Sequence, residues 1–172
     1  MKIEYLHASK FGNGAMVASE FQKQMAARSV DVDVHHIREL KRAEVPPADV
    51  YLFSSPGRIG KPIRRMRRFL QGLQLPPGTR YALLTTEAAP KLDKKTGQMP
   101  TEEELVKMGQ RVRPIMTEML QDKGLVKVAE EKVYVTKLRG PLEAGWQKKV
   151  EDLVSRIMAS SSSEAQSISD VV

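Results

Sequence analysis

The chain has 172 residues, of which 41% are hydrophobic and 28% charged, and it contains no cysteine. This length suits one domain with one core, and the lack of cysteine excludes disulfides, a thiolate nucleophile and sulfur-ligated metal centres. The formal net charge of +7 favours an acidic partner or surface. No apolar run reaches membrane-spanning length, so we expect an unprocessed cytoplasmic protein without membrane insertion.

The first predicted elements are a strand and a helix joined by a loop that contains two glycines. Residues 3–8 form a short apolar strand, and a helix follows from about residue 13 to residue 28. Between them, Gly12 and Gly14 permit a tight turn and a close approach of the backbone to a ligand. Free amides and the positive dipole end at the helix start attract anions, so this loop is predicted to hold a phosphate.

The middle of the chain continues the alternation of strands and helices. Residues 30–36 alternate Val and Asp, which is typical of a half-buried edge strand. The continuous apolar run 50–54 is typical of a strand covered on both faces. A helix is predicted over residues 61–73 from its apolar spacing, and a strand over residues 81–85.

The next predicted helix begins after a long polar loop. Thr101 and Glu104 make a capping box at its start. Pro114 removes one backbone donor inside the helical pattern, so we expect a kink there. Gly124 is a suitable C-terminal cap.

The C-terminal part of the chain completes the pattern. Residues 126–128 and 133–136 are compatible with one strand that has a charged interruption or with two short strands. The final helix is predicted to follow Pro141. We assign one domain to residues 1–158 and expect the serine-rich segment 159–172 to be disordered.

Alternating strands and helices predict the α/β class, with a parallel sheet covered by helices on both faces. Five strands suit the order 2-1-3-4-5, in which the ligand crevice lies beyond the carboxyl ends of strands 1 and 3. Three loops then meet at one place, namely residues 9–14, 54–61 and 86–100.

Two of these loops carry a resemblance to a known family. Residues 9–14 read Ser-Lys-Phe-Gly-Asn-Gly, and residues 55–61 read Ser-Pro-Gly-Arg-Ile-Gly-Lys. In pattern, the chain from residue 1 to about residue 157 resembles the flavodoxin-like family, which implies a three-layer α/β/α sandwich. In detail, the two motifs resemble the first-strand and third-strand loops of the flavodoxin-type protoporphyrinogen oxidases.

The match of the first loop to the family's phosphate loop is partial. Ser9, Gly12 and Asn13 stand at matching positions, whereas Phe11 and Gly14 replace two hydroxyl residues. The replacement removes side-chain contacts to a phosphate but leaves the backbone amides available.

The resemblance implies FMN, with its phosphate on the first loop and its isoalloxazine ring between the third-strand and fourth-strand loops. These two loops contain no aromatic residue for stacking, so the ring would rest on backbone and on Pro56, Ile59 and Ala88. Arg58 or Lys61 would lie near its pyrimidine side and favour anionic reduced flavin. The candidate cofactor-binding residues are Ser9, Lys10, Phe11, Gly12, Asn13, Gly14, Ser55, Pro56, Gly57, Arg58, Ile59, Gly60, Thr86, Glu87 and Ala88.

A cluster of basic residues follows the third-strand loop. Lys61, Arg64, Arg65 and Arg68 share one helix face opposite the apolar stripe. This face is either simply solvated or a docking surface for an acidic redox protein or for a substrate with phosphate or carboxylate groups. Nucleic acid ranks lower as a partner, because the helix lacks stacking aromatics and no binding module is recognised.

The three histidines predict neither a catalytic base nor a metal site. His7 lies near the end of a buried strand, where a structural hydrogen bond is expected. His35 and His36 end an edge strand and are expected to be solvated and distant from the crevice. No local carboxylate or cysteine spacing suggests a metal.

Two functions are therefore open from the sequence. The first is an FMN protein that acts in electron transfer or as a flavin-dependent oxidoreductase, in which the flavin carries the redox chemistry. The alternative is a flavin-free binding module of the same fold that docks an acidic partner on its basic helix. No general acid or base is assigned.

Overall fold

The computed structural model describes residues 1–9, 11–41 and 44–169, with side chains up to residue 163. Its strands are β1 (Lys2–His7), β2 (Asp31–His36), β3 (Val50–Ser54), β4 (Gly57–Arg58), β5 (Lys61–Pro62), β6 (Arg80–Ala88) and β7 (Val126–Val135). Its helices are α1 (Asn13–Ala26), α2 (Arg64–Gly72), α3 (Glu102–Lys107), α4 (Val112–Gln121) and α5 (Trp146–Ser169).

Five parallel strands form one sheet in the order β2-β1-β3-β6-β7. This is the predicted order 2-1-3-4-5, because β6 and β7 are the fourth and fifth strands of the sheet. Strands β4 and β5 form a separate small antiparallel hairpin between β3 and α2. Helices α1 and α5 pack on one face of the sheet, and α2 and α4 pack on the other. The predicted three-layer α/β/α arrangement is confirmed.

Strand β3 shows why the sheet is buried on both sides. Val50 and Leu52 face the core formed with α1 and α5, whereas Tyr51 and Phe53 face the core formed with α2 and α4. Because successive side chains of a strand point to opposite faces, a strand between two helical layers needs an unbroken apolar run.

The region after β6 differs from the expected single kinked helix. The capping box at Thr101 and Glu104 is present, with the Thr101 N–H donating to the Glu104 carboxylate at 2.7 Å. The chain then turns at Gly109, whose φ is 93°, and starts a second helix. Pro114 lies in the first turn of α4, where a missing N–H removes no intrahelical bond. The predicted kink is therefore wrong, and the break lies at Gly109.

The C-terminal elements decide between one strand and two after residue 126, and they change the expectation for the serine-rich segment. Residues 126–135 form one continuous strand. Helix α5 begins at Trp146 and its backbone continues to Ser169, so the expected lack of structure from residue 159 does not hold in the described part. Arg80 anchors this extension by donating to the Ser160 hydroxyl at 2.7 Å. Residues 170–172 lie outside the described residues, and the boundary at residue 158 stays a prediction.

Within the described ranges, no helix combines the length and apolar character needed to cross a membrane.

Candidate functional site

A crevice of about 1070 Å³ opens where the predicted loops meet. It lies at the carboxyl edge of the sheet, where His7 at the end of β1 pairs with Ser54 at the end of β3. The connections from these strands go to opposite faces, which is where open α/β sheets bind ligands. Ten of the predicted cofactor-binding residues line the crevice: Ser9, Phe11, Asn13, Pro56, Gly57, Arg58, Ile59, Thr86, Glu87 and Ala88.

Four other predicted cofactor residues do not line the crevice: Gly12, Gly14, Ser55 and Gly60. Lys10 lies outside the described residues. Ser55 is fully buried, and its hydroxyl accepts from the Ile63 N–H at 3.3 Å and donates to the Pro56 carbonyl at 3.0 Å. Ser55 therefore holds the hairpin that leads into α2.

Two glycines near the crevice have packing roles. The Gly14 N–H donates to the Ser9 hydroxyl at 3.1 Å, and a Cβ on Gly14 would lie 2.7 Å from the Ser9 Cβ. A Cβ on Gly60 would overlap the carbonyl oxygen of Gly109, and the Gly60 carbonyl accepts from the Arg111 N–H at 2.7 Å. These positions need glycine because the backbone packs closely there.

The start of α1 has the properties of an anion site. Gly12 is the N-cap residue, with φ of 87° and no side-chain cap, and the first turn carries no acidic residue. A Cβ on Gly12 would meet no atom within 4 Å, so the space before the helix is open. In the described part of the chain, the N–H groups of Asn13 and Ala15 have no protein acceptor. The donors present here fit a phosphate group.

Two histidines hold the loop that precedes α1. His7 Nδ1 accepts from the Ser9 N–H at 3.4 Å, and His36 Nε2 lies 3.3 Å from the Ser9 carbonyl oxygen. Burial lowers the pKa of His7, and the nearby charge of His36 lowers it further. The expectation that His36 is distant from the crevice is wrong. His36 lies opposite His7 in the register of the parallel strands β1 and β2, and the two rings are in contact. The sequence pattern does not show this pairing.

Apolar side chains are exposed at the crevice. Ile59, at the tip of the β4–β5 hairpin, has φ of 51° and is 91% exposed, and Leu138 is 87% exposed. Phe11 is 48% exposed, and the Arg139 guanidinium carbon lies 5.3 Å from its ring centroid. Leu138 belongs to the segment 136–138 directly after β7, which sequence reasoning missed although it follows the last parallel strand.

Glu87 lines the crevice but its carboxylate is already engaged. It accepts from the Thr85 hydroxyl at 2.6 Å and from Arg113 Nε at 3.2 Å. Arg113 also donates to Glu102 at 2.8 Å. Burial favours a higher pKa for Glu102, but the hydrogen bonds from Lys132 and Arg113 outweigh it and lower that pKa. Glu87 thus connects β6 to α3 and α4, through an arginine that the sequence analysis did not identify.

The crevice is strongly positive. Of the predicted docking residues, Lys61, Arg64 and Arg65 line it, whereas Arg68 does not. Lys61 lies in β5 rather than on the helix. The cations that line it are Arg38, Arg58, Lys61, Arg64, Arg65, Arg67 and Lys137. With Glu87 as the one acidic side chain among the lining residues described, the crevice attracts anions.

Comparison with solved structures identifies the fold. Flavodoxin 1 from Bacillus cereus has 16% sequence identity and a TM-score of 0.66, with 92% of this chain and 98% of that chain covered. A flavodoxin from Streptococcus pneumonia TIGR4 has 18% identity and a TM-score of 0.63, with 93% and 99% covered. No protein-family model matches the sequence, and no curated protein matches it.

The same fold is also found inside a longer protein. The rubredoxin oxygen:oxidoreductase from Desulfovibrio gigas has 11% identity and a TM-score of 0.66, with 92% of this chain and 35% of that chain covered. The chain has the flavodoxin-like fold, as the pattern of strands and helices along the sequence predicted.

Proposed function

We propose that this chain binds FMN in the crevice and acts in electron transfer or in flavin-dependent oxidoreduction. The observation that carries the proposal is the uncapped, open start of α1 at the edge of a crevice of about 1070 Å³. A helix start that offers free amides suits a phosphate, and a crevice of this size suits a cofactor. The flavodoxin-like fold supports the same assignment, and we propose a cytoplasmic location.

Each part of the crevice has a role in this proposal. The N–H groups of Asn13 and Ala15 would hold the phosphate, with Ser9 beside them. Pro56 and Ala88 would contact the ring from the hairpin and from the end of β6. When bound, FMN would supply the redox chemistry, while the protein supplies orientation and electrostatics.

The charge of the crevice sets the electrostatics of this site. Arg58 and Lys61 lie on the hairpin that lines the crevice and would stabilise negative charge there. In place of an aromatic residue on the third-strand or fourth-strand loop, Phe11 from the first loop would give the crevice its aromatic contact.

Titration with FMN tests the proposal. We expect saturable quenching of flavin fluorescence and a shifted absorption spectrum. Riboflavin, which lacks the phosphate, should bind at least about tenfold more weakly, because the helix start would have no anion to bind. Equal binding of FMN and riboflavin would contradict the phosphate assignment. Failure of both to bind would contradict the flavin proposal itself.

A second candidate function is a flavin-free module that docks an acidic partner. The observation that favours it is the exposed basic face of α2, where Arg64, Arg65 and Arg68 point away from the buried residues Met66 and Leu70. A protein of this kind would bind an acidic partner with strong salt dependence and give no flavin titration.

A further inference from the structure

A second, smaller cavity of about 430 Å³ lies beside the crevice, between the segment after β2 and helix α2. Its apolar surface comes from Ile37, Leu40 and Phe69, of which Ile37 and Phe69 are buried. Its remaining lining consists of arginines: Arg38, Arg64, Arg65 and Arg68. The volume falls within the usual range for small-molecule sites, roughly 300–1,000 Å³.

The arginines of this cavity have no carboxylate partner among the described residues. Among the described residues, Arg113 and Arg156 form ion pairs with glutamates, whereas none of the cavity arginines does. No acidic side chain lines the cavity in the described part of the chain. Four like charges around one apolar surface repel one another, and a bound anion would relieve that repulsion.

The start of α2 adds to the positive potential. This nine-residue helix begins at Arg64 with Ile63 as its N-cap, which makes no side-chain hydrogen bond. The first turn contains no acidic residue. The positive end of the helix dipole therefore lies at the same residues that line the cavity.

We propose that this cavity binds a small polyanion with two or more phosphate or carboxylate groups. Guanidinium groups bind both kinds of group through paired N–H donors, and an apolar surface behind them strengthens the attraction. Arg38, Arg64 and Arg65 line both cavities, so the bound polyanion would lie next to the crevice. The proposal does not depend on flavin binding.

Calorimetric titration of the flavin-free protein at low ionic strength tests this inference, with pyrophosphate as the phosphate probe and citrate as the carboxylate probe. The decisive variant changes Arg68, which is exposed and lines the small cavity but not the crevice. We expect saturable binding of at least one probe and an affinity about tenfold lower in Arg68→Gln. Arg68→Lys should recover part of the loss, because it keeps the charge without the paired donors.

Arg28→Gln is the matched control, because it removes the same charge at an exposed residue beyond the end of α1. Its affinity for the probes should stay within about twofold of the parent protein. An equal loss in Arg28→Gln, or no loss in Arg68→Gln, would overturn the proposal. The proposal would also be overturned if neither pyrophosphate nor citrate shows saturable binding, even when an acidic peptide titrated under the same conditions binds. Failure of the FMN titration leaves these outcomes unchanged.

Discussion

Helices α1 and α2 both begin at the carboxyl edge of the sheet, yet they present different chemistry there. Neither has a side-chain cap or an acidic residue in its first turn. Helix α1 begins after Gly12 and offers backbone amides, whereas α2 begins with arginines and offers exposed charged side chains. Backbone amides recognise an anion at contact distance, but exposed charges act over a Debye length and are screened by salt.

The two regions also differ in the role of their glycines. Gly12 has open space where a side chain would be, while Gly60, at the hairpin before α2, packs against Gly109. Open space beside a helix start suits a ligand, whereas a filled space shows that the glycine serves packing. The position of a glycine in a motif therefore does not by itself reveal which role it has.

The largest effect is expected for Gly60→Ala. The new methyl group would overlap the Gly109 carbonyl at a residue whose φ is 69°, and overpacking with backbone strain should destabilise the protein by about 3 kcal/mol. Urea unfolding measures the change. Gly97→Ala is the control, because Gly97 has φ of 66° but open space around it. An equal loss in both variants would show that strain alone matters at Gly60.

Charge reversal at α2 should produce the next largest effect. Arg64, Arg65 and Arg68 are exposed, so replacing all three with Glu should leave the fold intact. Under the proposed electron-transfer function, with an acidic ferredoxin as the test partner, the rate of electron transfer at low salt should fall by about tenfold or more and become nearly independent of salt. Stopped-flow measurements across ionic strength test this.

The control for this reversal changes three exposed lysines of the loop after β6, Lys91, Lys94 and Lys95, to Glu. It produces the same change of net charge at another place. If it slows electron transfer equally, the effect comes from net charge and not from the face of α2.

Gly12→Val tests the start of α1. A branched side chain would enter the open space before the helix at a φ of 87°, and FMN affinity should fall about tenfold, or about 1.4 kcal/mol. Fluorescence titration measures the affinity, and circular dichroism confirms that the variant is folded. A folded variant that binds FMN as well as the parent would remove the phosphate from this loop.

Removal of the C-terminal segment should have a smaller effect. Truncation after Ala159 deletes Ser160, whose hydroxyl accepts from Arg80, so we expect a loss of about 1 kcal/mol at most. Truncation after Ser163 retains this contact and should be neutral. The thermal midpoints of the two truncated proteins measure the difference. A large fall of the midpoint in the protein truncated after Ser163 would show that residues beyond 163 dock on the domain.

The smallest effect is expected on the pH dependence of the protein's stability, through His7 beside the loop before α1. The pKa of His7 is lower in the folded protein than its ordinary value of 6.5. The unfolded chain therefore binds more protons, and this residue's contribution to stability is lost as the pH falls below about 6.5. His7→Gln keeps an acceptor for the Ser9 N–H and should flatten this dependence. Urea midpoints between pH 8 and pH 5, in the range where histidine titrates, measure it, and an unchanged slope would exclude His7 as its source.

Much of the fold could be predicted because apolar spacing reports directly on burial. The apolar run from Val50 to Ser54 requires cover on both faces, and alternation of strands with helices restricts the order of a parallel sheet. The expectations for Pro114 and for residues 159–169 fail because local preferences compete with packing. A turn at Gly109 puts Pro114 where proline is tolerated, and Arg80 supports the helix through Ser160.

The sequence by itself determined the order of the sheet and the place where the loops converge, because periodicity and connection rules depend on neighbouring residues. Only the tertiary structure decided which residues in those loops face the crevice and which support it. Ser55 and Gly60 look like ligand residues in the motif but hold the hairpin. His36, at the end of β2, and Arg139, in the turn after β7, reach the first loop from distant parts of the chain. The physical reason is that strand register and backbone contact join residues far apart in the chain, and no local pattern records such pairs.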